Sequence, residues 1–137
     1  MLVLSQDVDW PEIESIVKKL SNKISKLPKT FTSITTVSRG GLIPARLIAD
    51  QLDIEKIFVD KRKIDSNSLF VDDIFDTGET FDEIIKRVDV PSKLVFVTLF
   101  ARRGKKYPKQ LVYGKKTNNN AYVVFPWDKL EFKRSQK

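Results

Sequence analysis

The sequence predicts an α/β fold, an open, mainly parallel twisted sheet flanked by helices. Two observations carry this prediction. Stretches with helical periodicity alternate along the chain with short apolar or β-branched stretches, the pattern of parallel strands joined by helical crossovers. One of the latter, KLVFVTLF at 93–100, is nearly all apolar, as a strand covered on both faces must be. At 137 residues the chain is long enough for a real core and is expected to form a single domain, 1–137.

Each element has its own justification. Asp9 and Glu12 form a capping pair, Pro11 suits a first turn, and Ile13, Ile16, Val17, Leu20, Ile24 and Leu27 share one face. A helix is therefore expected over 10–27, with Pro28 ending it. Phe31 to Val37, rich in Thr and Ile, reads as a strand broken by Ser38-Arg39-Gly40-Gly41. Leu42, Ala45, Leu47, Ile48 and Leu52 make a second helix, with Pro44 tolerated in its first turn. Short strands are expected at 56–60 and 69–71, a helix at 81–88, the apolar strand at 93–100, and closing strands at 109–113 and 122–125. The final KRSQK is expected to fray.

Composition excludes several kinds of chemistry. With no cysteine there are no disulfides or thiolate metal sites, which fits a cytoplasmic protein. With no histidine there are no His-based triads and no His-ligated zinc, so any chemistry rests on carboxylates, hydroxyls, Lys, Arg, Tyr or an oxygen-ligated metal. No apolar run approaches a membrane span, and MLVLSQ is too short and uncharged for a signal peptide. The net charge of +7 suits anionic partners. Nucleic acid is set aside, because the basic residues are scattered without interleaved aromatic platforms.

In open α/β sheets, ligands sit beyond the carboxyl ends of the strands. That rule singles out SRGG at 38–41, DDIFDTGET at 72–80 and ARRGKK at 101–106, which are also the most chemically loaded stretches. In DTGET, Gly78 permits an unusual backbone and the following helix offers unpaired N–H groups, with Thr77 and Thr80 adding hydroxyls. A phosphate fits there; so does simple helix capping by Asp76 or Thr77. Asp72 and Asp73 repel each other unless a cation or hydrogen donors lie between them, which suits vicinal sugar hydroxyls and Mg²⁺; a polar strand end facing water is the other reading. SRGG offers backbone N–H groups and Arg39 to an anion, or is only a turn.

LFVDDIFDTGETF at 69–81 resembles the phosphoribosyl-pyrophosphate (PRPP) signature of type I phosphoribosyltransferases: apolar residues, two acids, then D-T-G-x-T. VSRGGLIPARLIADQLDI, FVTLFARRG and FPWD extend the resemblance, in order over most of residues 5–130, to xanthine–guanine phosphoribosyltransferases and related purine enzymes. The resemblance implies transfer of the 5-phosphoribosyl group from PRPP to a 6-oxopurine (guanine, xanthine or hypoxanthine), giving a nucleoside monophosphate and pyrophosphate, with Mg²⁺ as cofactor. It implies that Asp72 and Asp73 hold the ribose hydroxyls, with Asp73 nearer the metal. Asp76, Thr77, Gly78, Glu79 and Thr80 would hold the 5′-phosphate, and Ser38, Arg39 and Gly40 the pyrophosphate. Asp76 would also manage the proton at N7 of the purine. Arg102 stands where a lysine reads the 6-oxo group; otherwise it is one more solvated charge. Tyr122 would stack on the base, or else belong to the core; the Val123 backbone would read the 2-position, with Trp127 and Asp128 completing the wall. A small base-binding hood is expected over about 116–130, and a homo-oligomer, dimer or tetramer, with it. The family's long flexible loop is reduced here, since DKRKIDSNS and its edges, between Phe58 and Leu69, have room for a tight hairpin only. The alternative is a non-catalytic PRPP- or nucleotide-binding regulator on the same fold, against which the retention of Asp72, Asp73 and Asp76 argues.

Overall fold

In the computed structural model, residues 4–136 are described. A five-stranded parallel sheet runs in the order β3-β2-β4-β5-β6, formed by Ile57–Val59, Ser33–Thr36, Ser68–Phe75, Phe96–Ala101 and Leu111–Lys116 respectively. Helices α1 (Trp10–Ser25) and α2 (Leu42–Leu52) cover one face, and α3 (Glu79–Ile85) covers the other. The strands alternate accordingly. Leu69, Val71, Val97 and Leu99 point into the α1/α2 core, while Phe70 and Phe96 stack at 4.8 Å in the α3 core.

The predicted α1 is present, with the Asp9 carboxylate accepting from the Glu12 amide at 3.0 Å and Pro11 in the first turn. It lies against β6 at Gly114, where a Cβ would collide with Ile16 and come within 2.8 Å of the Leu99 carbonyl. Lys19 Nζ donates to the Gly114 carbonyl at 2.9 Å and fixes the same contact.

Four features depart from the sequence-based expectation. Strand β4 does not stop at Val71 but continues to Phe75, because Asp72, Ile74 and Phe75 keep register with Thr98, Phe100 and Ala101. The two acids therefore lie within the strand. Ahead of it, the 60–67 connection is no hairpin: Ile64 forms a parallel bridge with Val88, its amide donating to the Arg87 carbonyl at 2.9 Å. The Asp89 carboxylate accepts from the Ser66 amide at 2.8 Å, so the segment is pinned beside α3. A further strand, β1 (Ser5–Asp7), pairs in parallel with β7 (Tyr122–Val124) in a separate two-stranded sheet. Lastly, most of KRSQK belongs to a helix, α4 (Lys129–Ser135), anchored by Phe132 stacking on Tyr122; Lys137 lies outside the described residues. No helix among the described residues is long and apolar enough to cross a membrane.

Topology positions the site. From β2 the chain crosses to β3 on one side, then returns to build β4, β5 and β6 on the other. The carboxyl ends of β2 and β4 thus flank the point where strand order reverses, where open α/β sheets form a crevice. Because Gly114 is where α1 touches the sheet, Gly114→Ala is expected to cost about 1–3 kcal/mol in a urea denaturation. An unchanged midpoint would mean that α1 is not held at that distance.

Candidate active site

At the carboxyl end of β2, residues 38–41 form a tight loop with a cis Ser38–Arg39 peptide bond. Asp60, just past β3, holds it: its carboxylate accepts from the Ser38 amide at 2.9 Å and the Ser38 hydroxyl at 2.5 Å. These bonds keep the Asp60 carboxyl below the usual carboxylate range. Nothing in the sequence marked Asp60, since its partner lies on the neighbouring strand. Gly40 faces Asp73, and a Cβ there would lie 2.6 Å from Asp73 Oδ2.

On β4, Asp72 is buried and Asp73 partly so. Their hydrogen-bond donors are backbone amides: Asp73 N–H to Asp72 Oδ1 at 2.8 Å, and Ile74 N–H to Asp73 Oδ1 at 2.7 Å. Among the described residues no lysine or arginine forms an ion pair with either. Burial, followed by the charge of Asp73, pushes the Asp72 carboxyl up to about 8; burial also raises Asp73. Asp72, at least, does not face water.

The strand then enters DTGET. Gly78 has φ 91°, the left-handed region that favours glycine, and directly precedes α3. The first-turn amides of α3 lack intrahelical partners; that of Glu79 reaches Thr77 Oγ1 at 3.3 Å. Asp76 does not cap the helix. Its carboxylate receives Arg102 Nε at 3.1 Å and Nη2 at 3.4 Å. Residues 72–81 with Phe96 line a cavity of about 180 Å³.

Arg102 is neither a solvated charge nor free to swing. Besides Asp76 it donates through Nη1 to the Asn119 carbonyl at 3.1 Å and the Ala121 carbonyl at 2.8 Å. Of its five N–H groups, one on Nη2 is left. The guanidinium therefore ties the 118–125 segment to the DTGET loop.

That segment and the turn after it (Pro126–Asp128) form the second wall. Tyr122 is 50% exposed and so is no core residue. Burial, then the charges of Asp128, Glu131 and Asp73, raises its hydroxyl pKa. The Tyr122 amide donates to the Leu4 carbonyl and the Val124 carbonyl accepts from the Val8 amide, on either side of β1, so strand alternation turns the Val123 N–H and C=O to the unpaired edge. The Val123 side chain itself is buried. Trp127 lies flat on Phe125 at 4.9 Å, its indole N–H buried without a partner. Burial, then Asp73 and Glu131, raises Asp128. A cavity of about 440 Å³ is lined by Arg39, Gly40, Asp73, Tyr122, Trp127 and Asp128, together with Leu42, Ile43 and Glu131.

Two cavities thus meet at Asp73, one with an anion cradle and one with an arginine and an aromatic wall. Of the residues expected from the sequence, 72, 73 and 76–80 share the first, while Arg39, Gly40, Tyr122 and Asp128 share the second with Asp73. Ser38, Arg102 and Val123 line neither.

Comparison with solved structures decides the fold. A xanthine-guanine-hypoxanthine phosphoribosyltransferase of Helicobacter pylori superposes with a TM-score of 0.73 over 97% of this chain and 99% of that one, at 15% identity. The chain has the type I phosphoribosyltransferase fold. A purine phosphoribosyltransferase of Pyrococcus horikoshii gives a TM-score of 0.70 at 23% identity, over 90% of this chain and 93% of that one. In sequence, the chain is 29% identical over 140 residues to a xanthine-guanine phosphoribosyltransferase of Chromohalobacter salexigens, covering 88% of this chain and 82% of the relative. No family model matches.

The buried acid pair has a consequence for stability. Between the ordinary carboxylate range and about 8, folded Asp72 keeps a proton that the unfolded chain has lost, so stability falls as pH rises through that window. Asp72→Asn removes this cost. Its melting temperature should exceed the parent's near pH 8, and the gain should fade towards pH 4, near the unperturbed carboxylate value of about 3.9. Equal melting temperatures across the window would contradict the burial of the charge.

Proposed function

We propose that the chain is a cytoplasmic, Mg²⁺-dependent purine phosphoribosyltransferase. It would move the 5-phosphoribosyl group from PRPP to a 6-oxopurine (guanine, xanthine or hypoxanthine), releasing pyrophosphate and a nucleoside monophosphate. The observation that carries this is the junction at Asp73, where the anion cradle and the aromatic-walled cavity meet at the sheet's switch point. PRPP has this layout, with a phosphate at one end, vicinal hydroxyls between, and pyrophosphate and base meeting at C1′.

The roles follow from position. The amides of the 76–80 loop and the hydroxyls of Thr77 and Thr80 take the 5′-phosphate. Asp72 and Asp73, bonded only to backbone amides and to each other, accept from the ribose hydroxyls. Arg39 and the Gly40 backbone meet the pyrophosphate, in a loop that Asp60 holds through Ser38. Tyr122 stacks on the purine, the free Val123 backbone edge reads its 2-position, and Trp127 and Asp128 complete the hood over about 116–130. Asp76, oriented by two guanidinium bonds, accepts and holds the proton at N7. Arg102 has one N–H left for the 6-oxo group, so its larger part is to position Asp76 and the hood.

Among the described residues no three acids converge on a metal position. That suits Mg²⁺, which is commonly held by one or two carboxylates together with substrate phosphates; Asp73 is the protein ligand. When bound, the ion neutralises charge on the departing pyrophosphate. Transfer at C1′ passes through an oxocarbenium-like state, which the neighbouring carboxylates stabilise. The edge strand β3 leaves Phe58 and Val59 exposed, surface that a homo-oligomer, dimer or tetramer, would cover.

Incubation with PRPP, Mg²⁺ and each purine is expected to release pyrophosphate with at least one 6-oxopurine. Asp72→Asn combined with Asp73→Asn should remove PRPP binding while circular dichroism stays unchanged. No release with any base, or unaltered PRPP affinity in the folded double variant, would overturn the reading.

A further inference from the structure

Helix α4 has no part in the reaction as assigned above. None of its residues is buried, yet it makes two contacts with the candidate site. Glu131 Oε2 lies 3.4 Å from Arg39 Nη2, and Phe132 stacks on Tyr122 with ring centroids 5.4 Å apart and planes 23° from parallel. Glu131 also lines the 440 Å³ cavity. A carboxylate thus sits on the arginine assigned to pyrophosphate, and a phenyl ring on the tyrosine assigned to the base.

We infer that α4 is a displaceable cover, docked on the site through the same two kinds of contact that substrate makes, and that PRPP and α4 compete for Arg39. The inference rests on the phosphoribosyltransferase reading. Its physical basis is exclusion. An anionic pyrophosphate approaching the Arg39 guanidinium meets the Glu131 carboxylate already at Nη2, and the two anions repel. Phe132 already occupies one face of the Tyr122 ring, so a base stacking on that face has to displace it. Asp73 and Asp128 line the same cavity, so Glu131 adds a third acid to a place where only Arg39 is basic.

The contact is suited to exchange. Both partners of the Arg39–Glu131 pair are largely exposed, so the pair is weak and screened by salt. The turn at Pro126–Asp128 carries α4 without burying it. The connection that would otherwise supply a lid, residues 60–67, is pinned by the Ile64–Val88 bridge.

The test compares the parent chain with the double variant Glu131→Gln, Phe132→Ala in calorimetric titration with Mg²⁺ and PRPP. If docked α4 reduces the competent fraction, apparent affinity rises when docking is removed, here by about threefold or more. Amide hydrogen exchange supplies a second readout: in the parent, residues 129–136 should exchange faster when PRPP is present. Equal or weaker PRPP binding by the variant, or slower exchange of that segment on binding, would overturn the inference while leaving the function standing. If neither chain binds PRPP, the functional reading fails and the inference fails with it.

Discussion

Asp72 and Asp73 lie on the middle strand of a parallel sheet, where no lysine or arginine among the described residues pairs with them, and the surrounding elements are arranged about that fact. Burying carboxylates is costly unless hydrogen bonds or cations meet them. Here the protein meets them only in part, through the amides of Asp73 and Ile74. The remaining demand faces the crevice between β2 and β4, where Gly40, having no Cβ, leaves room for the Asp73 carboxylate. A site built in this way is unsatisfied until something donates to it. In the proposed reading, sugar hydroxyls would donate to the pair and a hard cation would be coordinated by it, neither needing histidine or cysteine.

Arg102 transmits this arrangement to the rest of the site. Its backbone N–H donates to the Phe75 carbonyl at 2.7 Å, and its side chain spans from Asp76 to the carbonyls of Asn119 and Ala121. One guanidinium therefore joins the DTGET loop to the 118–125 segment. A lysine could not make these bonds together, having a single point charge in place of a planar fork. Most of the residue's hydrogen-bonding capacity is thus spent on protein groups, which tie the DTGET loop to the 118–125 segment.

The sequence was most informative where local chemistry and local structure agree. The helices at 10–25 and 42–52 were legible from apolar periodicity and caps, and the loops at 38–41 and 76–80 from glycines beside hydroxyls and charge. It was less informative where pairing is non-local. Asp72 and Asp73 disfavour strand on propensity, so β4 appeared to end at Val71; register with β5 carries it on to Phe75. β1 was missed because its partner, β7, lies at the far end of the chain. The last turn of α4 was mistaken for a frayed end, since KLEFKRS is charged around most of its surface and is fixed by contacts with Arg39 and Tyr122 rather than by a buried stripe. Asp60 was invisible for the same reason: its importance lies in a loop on the adjacent strand.

The most direct test of the account is a crystal structure of the chain with Mg²⁺ and guanosine monophosphate. The account predicts the phosphate on the amides of residues 76–80, both ribose hydroxyls on the Asp72–Asp73 pair, and the base against Tyr122 with its edge on the Val123 backbone. A nucleotide bound with its ribose away from that acid pair would contradict the account.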